Sequence, residues 1–155
     1  MTPTTLAQAA DQARDLLGTV LFTVTVLTPD GGEISRVYSS HPEVYAVGGR
    51  KRTDPSQTSP IWSEQVISGQ RPFLGADRTA VREFFFDWET IEALGCGAIV
   101  NAPVVHGGET IASINFLGPE GSLDEASVPV ALDIVRDATP AVVAARAAAF
   151  PELAS

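Results

Sequence analysis

The sequence is poor in the residues that mark disulfide-rich and metal-binding proteins. Its 155 residues contain one cysteine, one methionine and two histidines. Because Cys96 is alone, no internal disulfide can form. His41 and His106 are 65 positions apart, and that spacing matches no common metal site. We therefore expect no metal and no disulfide framework.

Basic residues are also scarce. Ten lysines and arginines stand against 19 aspartates and glutamates, which gives a net charge of -9. A surface this acidic repels polyanions, so we expect no nucleic acid partner. Segment 50–82 is an exception, because its six basic residues outnumber three acidic ones, and such a positive island can attract a small anion. The six are Arg50, Lys51, Arg52, Arg71, Arg78 and Arg82.

Long hydrophobic runs are missing as well. The longest stretches without a charged residue are 16–29, with 14 residues, and 93–108, with 16 residues. A membrane span needs about 20 predominantly apolar residues, and the N-terminus lacks the pattern of a signal peptide. We expect no membrane partner and a cytoplasmic location. The composition, 45% hydrophobic and 19% charged, is that of a folded protein, and the length predicts one domain over 1–155.

The beginning of the sequence predicts a helix followed by a β-hairpin. Apolar residues recur with helical spacing over 4–17, and Gly18 ends the repeat. Residues 19–28 alternate between apolar side chains and threonine, which is typical of a strand. A Pro-Asp-Gly-Gly turn then leads into a second strand over 33–39.

The rest of the chain is less regular until a second hairpin. Residues 40–60 have no periodicity, and a loop of this length is usually functional or disordered. A Gly-Gly turn predicts a hairpin of 97–106 with 109–117. A final helix over 123–149 begins at a Ser-x-x-Glu capping box and is kinked or split at Pro140. Between loop and hairpin we predict a short helix over 61–69, a short strand over 71–74 and an ambiguous segment over 78–86. A helix over 87–94 follows, with Asp87 as its N-terminal cap.

This order of elements predicts an α+β domain. A central antiparallel sheet would carry the N- and C-terminal helices on one face and a lid of loops and short helices on the other. The terminal helices are rich in alanine, and their apolar stripes are wide for a monomer of this size. We expect a homodimer joined through these helices; the alternative is that both stripes lie on the chain's own sheet.

The segment from Leu94 to Leu117 resembles the corresponding part of GAF domains. Leu94-Gly95-Cys96-Gly97 leads into a strand with Asn101-Ala102-Pro103-Val104, and after the Gly-Gly turn the closing strand carries Ile114-Asn115-Phe116-Leu117. GAF domains have a similar succession of a small-residue strand, Pro-Val, a Gly-Gly turn and an Asn-Leu strand. The resemblance extends over about residues 5–149, and PAS domains have the most easily confused fold.

The resemblance implies a ligand pocket between the sheet and a cover formed by 40–93. It also implies which ligands of the family do not fit this chain. Bilin-binding GAF domains attach the chromophore to a cysteine in the cover, cyclic-nucleotide-binding ones carry an Asn-Lys-Phe-Asp-Glu set, and the methionine sulfoxide reductases use several cysteines. None of these features occurs in this sequence. We therefore expect no cofactor.

A polar cluster at the end of the first hairpin is the candidate anion site. Regular alternation places Arg36 and Tyr38 on one face of the second strand. The loop that follows carries hydroxyls, a histidine and a basic run, and two glycines allow it to fold back over the strand end. Such donors suit a carboxylate or a phosphate, whereas the alternative is a solvated basic turn. The candidate loop residues are Ser39, Ser40, His41, Tyr45, Arg50 and Lys51.

Other candidates lie further along the chain. Asn101 and Asn115 are polar residues in apolar strands. A regular two-residue turn places them on opposite faces, and one extra residue or a bulge places them on the same face. Trp62 and Phe85 are candidate walls of the pocket for a flat or apolar ligand. Cys96, between two glycines, is either a pocket thiol or an inert buried cysteine.

Two functional hypotheses follow from the sequence. In the first, a GAF-like domain binds a small organic anion and acts in sensing or regulation. In the second, the same pocket belongs to a small enzyme, a hydrolase, isomerase or reductase. Its catalytic residues would be Cys96 or His41, acting on a small carboxylate or a heterocyclic metabolite. An interaction module without a ligand is a third, less specific alternative.

Overall fold

Six antiparallel strands form one sheet in the computed structural model of the chain, which describes residues 4–154. The strands are β1 (Leu21–Leu27), β2 (Glu33–Ser39), β3 (Arg50–Arg52), β4 (Phe73–Gly75), β5 (Ala98–His106) and β6 (Glu109–Gly118). Their spatial order is β3-β2-β1-β6-β5-β4. The two predicted hairpins therefore lie side by side through β1 and β6, and the two short strands form the edges.

Helices cover both faces of this sheet. The two long terminal helices pack on one face, and the short central helices pack on the other. The predicted α+β architecture is confirmed. None of the helices within residues 4–154 has the length and apolar character that a bilayer span requires. The helices are α1 (Leu6–Leu17), α2 (Pro60–Trp62, continued by a π-helical turn over Ser63–Ser68), α3 (Arg78–Phe84), α4 (Trp88–Ala93) and α5 (Ser127–Ala149), which is followed by a 3₁₀ turn over Pro151–Ala154.

Strand β1 is buried along its whole length because it is covered on both sides. Phe22, Val24 and Val26 belong to the main core beneath α1 and α5. Thr23 and Thr25 point to the opposite face, towards the central helices. The alternation predicted from the sequence thus separates a fully apolar layer from a layer that contains hydroxyl groups.

The terminal helices lie close to the sheet through small side chains. Ala9 and Ala13 of α1 and Ala138 of α5 are completely buried in the main core. Helix α1 starts at a capping box formed by Thr5 and ends where Gly18 adopts a left-handed φ of 70°. The stripes of both helices are therefore covered at least partly by the chain's own sheet. Homodimer formation through their remaining surface stays a prediction.

Helix α5 starts later than predicted and continues past Pro140 without being split. It begins at Ser127 rather than near residue 123, because the Asp124 carboxylate accepts the backbone N–H groups of Ala126 and Ser127 at 3.0 and 3.2 Å. Ser122 donates its hydroxyl to the Pro119 carbonyl instead of capping the helix. Pro140 neither splits nor ends the helix, since it lies on an exposed side where water can satisfy the carbonyl that loses its donor.

The middle of the chain is more regular than its sequence suggests. Within the predicted loop 40–60, β3 pairs with β2 and extends the sheet by one strand. The ambiguous segment 78–86 contains α3, whose N-terminus is capped by the Asp77 side chain. These short elements cover the second face of the sheet.

We predict that Phe116→Ala destabilises the fold by about 3–5 kcal/mol, because it empties a fully buried ring site. Phe116 is 0% exposed and packs edge to face on Phe22 with ring centroids 5.4 Å apart. Leu16→Ala is the control, since Leu16 is 64% exposed and its truncation is expected to change stability by less than about 0.5 kcal/mol. Urea denaturation measures the free energy of unfolding of both variants. Equal losses of stability in the two variants would contradict the placement of Phe116 in the core.

Candidate functional site

A cavity of about 100 Å³ lies between the sheet and its cover of central helices and loops. Its floor consists of side chains from β1, β5 and β6, and its walls come from the loop after β2, from β3 and from the segments around α2 to α4. The polar floor residues are Thr23, Thr25, Asn101 and Asn115; aromatic side chains at the wall are Tyr45, Trp62, Phe84 and Phe85; the charged lining residues are Arg36, Lys51 and Asp87.

A bulge in the second hairpin brings the two asparagines of the floor together. The pairing of β5 with β6 shifts between Val104 and Val105, so that Asn101 lies directly opposite Asn115 on the same face. Of the two arrangements that the sequence left open, the structure has the one with a bulge. The predicted candidates Asn101 and Asn115 both line the cavity.

The floor amides form one directed chain of hydrogen bonds. The Trp62 indole N–H donates to Asn101 Oδ1 at 3.0 Å, and because indole only donates, it determines which amide atom faces it. Asn101 Nδ2 then donates to Asn115 Oδ1 at 2.7 Å, and Asn115 Nδ2 donates to Thr23 Oγ1 at 3.0 Å. Trp62 is thereby fixed against the sheet as a wall of the cavity.

A second bulge decides which residues of β2 face the cavity. Val24 pairs with Tyr38 and Thr25 with Arg36, so Val37 is the extra residue. Arg36 therefore points into the cavity, whereas Tyr38 points to the opposite face and packs edge to face on Phe22 at 5.9 Å. The prediction that Arg36 and Tyr38 share a face is wrong, because regular alternation does not hold across a bulge.

The Arg36 guanidinium is enclosed by the loop that follows β2. Nη1 donates to the Ala46 carbonyl at 3.0 Å, and the group lies over the Tyr45 ring at 4.9 Å. Nε is buried and has no hydrogen-bond partner in residues 4–154. Burial lowers the pKa of Arg36. A Cβ atom at Gly49 would lie only 2.6 Å from Nη1, so a side chain there would displace the guanidinium from this position.

Lys51 is the second cation of the cavity. It lies on β3 opposite Ile34, is half-buried, and its Nζ is 5.9 Å from the centre of the Phe86 ring. Burial lowers the pKa of Lys51. Among residues 4–154, neither Lys51 nor Arg36 has a carboxylate within 4.0 Å.

Arg50, the other half of the predicted clamp, does not line the cavity. It is exposed, pairs with Glu33 at 3.4 Å and lies over the Phe150 ring at 5.3 Å. Successive residues of a strand point to opposite faces, so β3 can present only one of the neighbouring cations to the cavity. The structure pairs Lys51 with Arg36 in place of Arg50.

Asp87 is a cavity residue that the sequence analysis did not select, since it was considered only as a helix cap. Its side chain makes no capping hydrogen bond to α4. Instead, Asp87 Oδ2 accepts the Tyr45 hydroxyl at 2.5 Å. Burial and the nearby Asp87 charge raise the pKa of Tyr45, which stays a neutral donor. The predicted residue Tyr45 thus reaches the cavity and contacts both an anion and the Arg36 cation.

The remaining residues of the predicted clamp do not line this cavity. Tyr38, Ser39, Ser40 and His41 line a separate cavity beside α1. Ser40 Oγ accepts the Phe22 N–H at 2.9 Å and contacts His41 Nδ1 at 3.2 Å, while Ser39 Oγ accepts the His41 N–H at 3.1 Å. The expectation that one loop holds all these side chains over one cavity is wrong.

Cys96 lies in the apolar cluster under the short helices and does not line the cavity. It is 1% exposed, and burial raises the pKa of its thiol to about 11. His41 is on the other face of the sheet, so the two catalytic candidates do not meet. Phe85, predicted as a wall residue, does line the cavity.

Comparisons with known proteins identify the fold. No family model and no curated protein matches the chain. Among solved structures, a GAF domain/HD domain protein from Geobacter sulfurreducens is similar, with 12% identity, a TM-score of 0.68 and 90% of each chain covered. The GAF domain of the Acinetobacter phosphoenolpyruvate-protein phosphotransferase also has 12% identity and a TM-score of 0.68, with 93% of this chain and 83% of that chain covered.

A third similar structure is the phycoerythrobilin-bound GAF domain of a cyanobacterial phytochrome. It is 18% identical, with a TM-score of 0.65, and the match covers 90% of this chain and 84% of that chain. At such identities the likeness concerns the fold and not the ligand. The resemblance in the second hairpin and the similarity over the sheet and both layers agree: the chain has the GAF fold.

Proposed function

We propose that this chain binds a small organic anion in the cavity above the Asn101–Asn115 floor and acts in sensing or regulation. The observation that supports this most is the pair of cavity cations, Arg36 and Lys51, which have no carboxylate partner within residues 4–154. The buried Arg36 Nε also lacks an acceptor.

Buried polar groups without partners are costly, by about 1–3 kcal/mol for a neutral group and more for a charged one. An oxyanion that contacts the Arg36 guanidinium and Lys51 would offset the cost of placing these charges in a partly buried site, through charge-assisted hydrogen bonds. The cavity therefore gains stability from an anion that it does not gain from a neutral ligand of the same shape.

The rest of the cavity favours an organic body attached to that anion. Trp62, Phe84 and Phe85 at the wall, together with Ile99 and Leu117, provide apolar surface. A volume of about 100 Å³ holds roughly seven to ten water-sized groups. Small aromatic or aliphatic carboxylates fit this combination of size, apolar wall and cationic end.

The sensory or regulatory part of the proposal is supported by the proteins that share the fold. Their names include a methyl-accepting chemotaxis protein and a two-component sensor histidine kinase, as well as a bilin-bound phytochrome domain. In this chain, a ligand would contact the sheet and the cover at once, so binding would stabilise the cover. That coupling is a physical route from ligand to partner.

No observation favours the enzyme hypothesis built on Cys96 and His41. The thiol is buried and protonated, outside the cavity, and separated from His41 by the sheet. Thiol catalysis requires an accessible thiolate beside a base or another positive group. The binding function is therefore the one we propose.

Lys51→Gln should weaken binding of benzoate at least about tenfold, because a charge-assisted contact contributes about 1.5–3 kcal/mol. Arg50→Gln is the matched control: it removes the same charge from the neighbouring residue, which faces away from the cavity. Benzamide tests the need for an anion. Calorimetric titration measures these affinities. Equal losses of benzoate affinity in the two variants would overturn the anion site, and so would equal affinities of the unmodified protein for benzamide and benzoate.

The Cys96 thiol should react with a thiol reagent at pH 7 only when the protein unfolds. Its pKa rises from 9.0 to about 11 on burial, which makes the thiolate about a hundredfold scarcer at neutral pH, and the side chain is inaccessible as well. The absorbance change of the reagent measures the rate of the thiol reaction, for the folded protein in buffer and for the unfolded protein in guanidinium chloride. Rapid reaction of the folded protein would revive the enzyme hypothesis.

A further inference from the structure

The charged groups around the cavity do not cancel. Arg36 and Lys51 each carry a positive charge and Asp87 carries a negative one, while the remaining side chains that line the cavity, Tyr45 included, are neutral. The lining residues therefore sum to a single positive charge. A ligand with one negative charge makes the site neutral, and a ligand with two leaves a net negative charge in a partly buried place.

Asp87 lines the cavity without a close ion-pair partner, and its charge acts over a longer distance on Arg36 and Lys51 as well as on a ligand. Its one hydrogen bond to a side chain comes from the neutral Tyr45 hydroxyl, at 2.5 Å. Within residues 4–154 it has no basic group within 4.0 Å. Tyr45 contacts both charged groups, because its hydroxyl binds Asp87 and the Arg36 guanidinium lies 4.9 Å from its ring centre.

The aromatic part of the wall has no free donor for a second anionic group. Trp62 uses its N–H for Asn101, and Phe84 and Phe85 have no donors. A second carboxylate would be desolvated against these rings or placed near Asp87, and like charges in a weakly hydrated site repel strongly. An apolar group at the same position has neither cost.

We propose that the cavity selects ligands with a single negative charge and an apolar body, that is, monocarboxylates, and that Asp87 is the residue that excludes dianions. This inference rests on the proposed function. It adds the charge of the ligand and names the specificity-determining side chain. Dicarboxylates and phosphate monoesters are then poor ligands of this site.

Pairs of probes with equal shape and different charge test the proposal. 3-Carbamoylbenzoate has a neutral amide where isophthalate has its second carboxylate. 4-Carbamoylbutanoate and glutarate form the corresponding aliphatic pair. Calorimetric titration of the full chain at pH 7 should give affinities at least about tenfold higher for the monoanion of each pair that binds. Equal or tighter binding of the dianion would overturn the selectivity.

Asp87→Asn tests the residue, since asparagine keeps the shape and can still accept the Tyr45 hydroxyl. This variant should reduce the monoanion preference to less than about threefold, chiefly by improving dianion binding. Glu89→Gln is the matched control, because Glu89 is exposed, lies two positions away on α4 and does not line the cavity. An unchanged preference in Asp87→Asn, or an equal change in Glu89→Gln, would contradict the role of Asp87.

Failure of the proposed function has a different signature. If none of the four probes and neither benzoate nor benzamide binds at millimolar concentration, both the anion site and the selectivity are wrong. If both members of a pair bind with similar affinity to the unmodified protein, the anion site stands and only the charge selectivity falls.

Discussion

A half-buried guanidinium whose Nε has no acceptor within residues 4–154 is the constraint on which the proposed function depends. Arg36 lies beneath its own loop, with one nitrogen on the Ala46 carbonyl and Nε without a partner in the described chain. A charged group in such a place is costly unless another group compensates it. Lys51 adds to the cost. Asp87 is the one carboxylate among residues 4–154 that lines the cavity, and it accepts the Tyr45 hydroxyl instead of pairing closely with either cation. An anionic ligand resolves this imbalance.

Two β-bulges create the site by changing which side chains face the cover. The bulge at Val37 turns Arg36 towards the cavity and Tyr38 away from it. The shift between Val104 and Val105 aligns Asn101 with Asn115, and Trp62 binds that pair from the cover. With regular pairing in place of these shifts, Arg36 and Tyr38 would share a face, and Asn101 and Asn115 would point to opposite faces. The sheet therefore provides both a structural core and a polar floor because its strands are locally irregular.

Much of the fold was accessible from the sequence because it depends on local patterns. The helical repeat over 4–17, the alternation in β1 and the two turns each follow from side-chain spacing. The site was less accessible. No glycine or proline marks the bulge at Val37, so alternation placed Arg36 and Tyr38 together. Asp87 was interpreted as a cap because its partner, Tyr45, is 42 residues away. The start of α5 was misplaced because Asp124 competes with Ser122 for the free N–H groups.

The most direct measurement of the central claim is an NMR titration of the arginine Nε–H signals with benzoate. The Arg36 signal, identified by its loss in Arg36→Lys, should shift as benzoate binds, because the anion lies against this guanidinium. Arg50 and Arg136, which lie outside the cavity, should not respond. If benzoate binds and the Arg36 signal stays unchanged, the anion does not occupy the position that this account assigns to it.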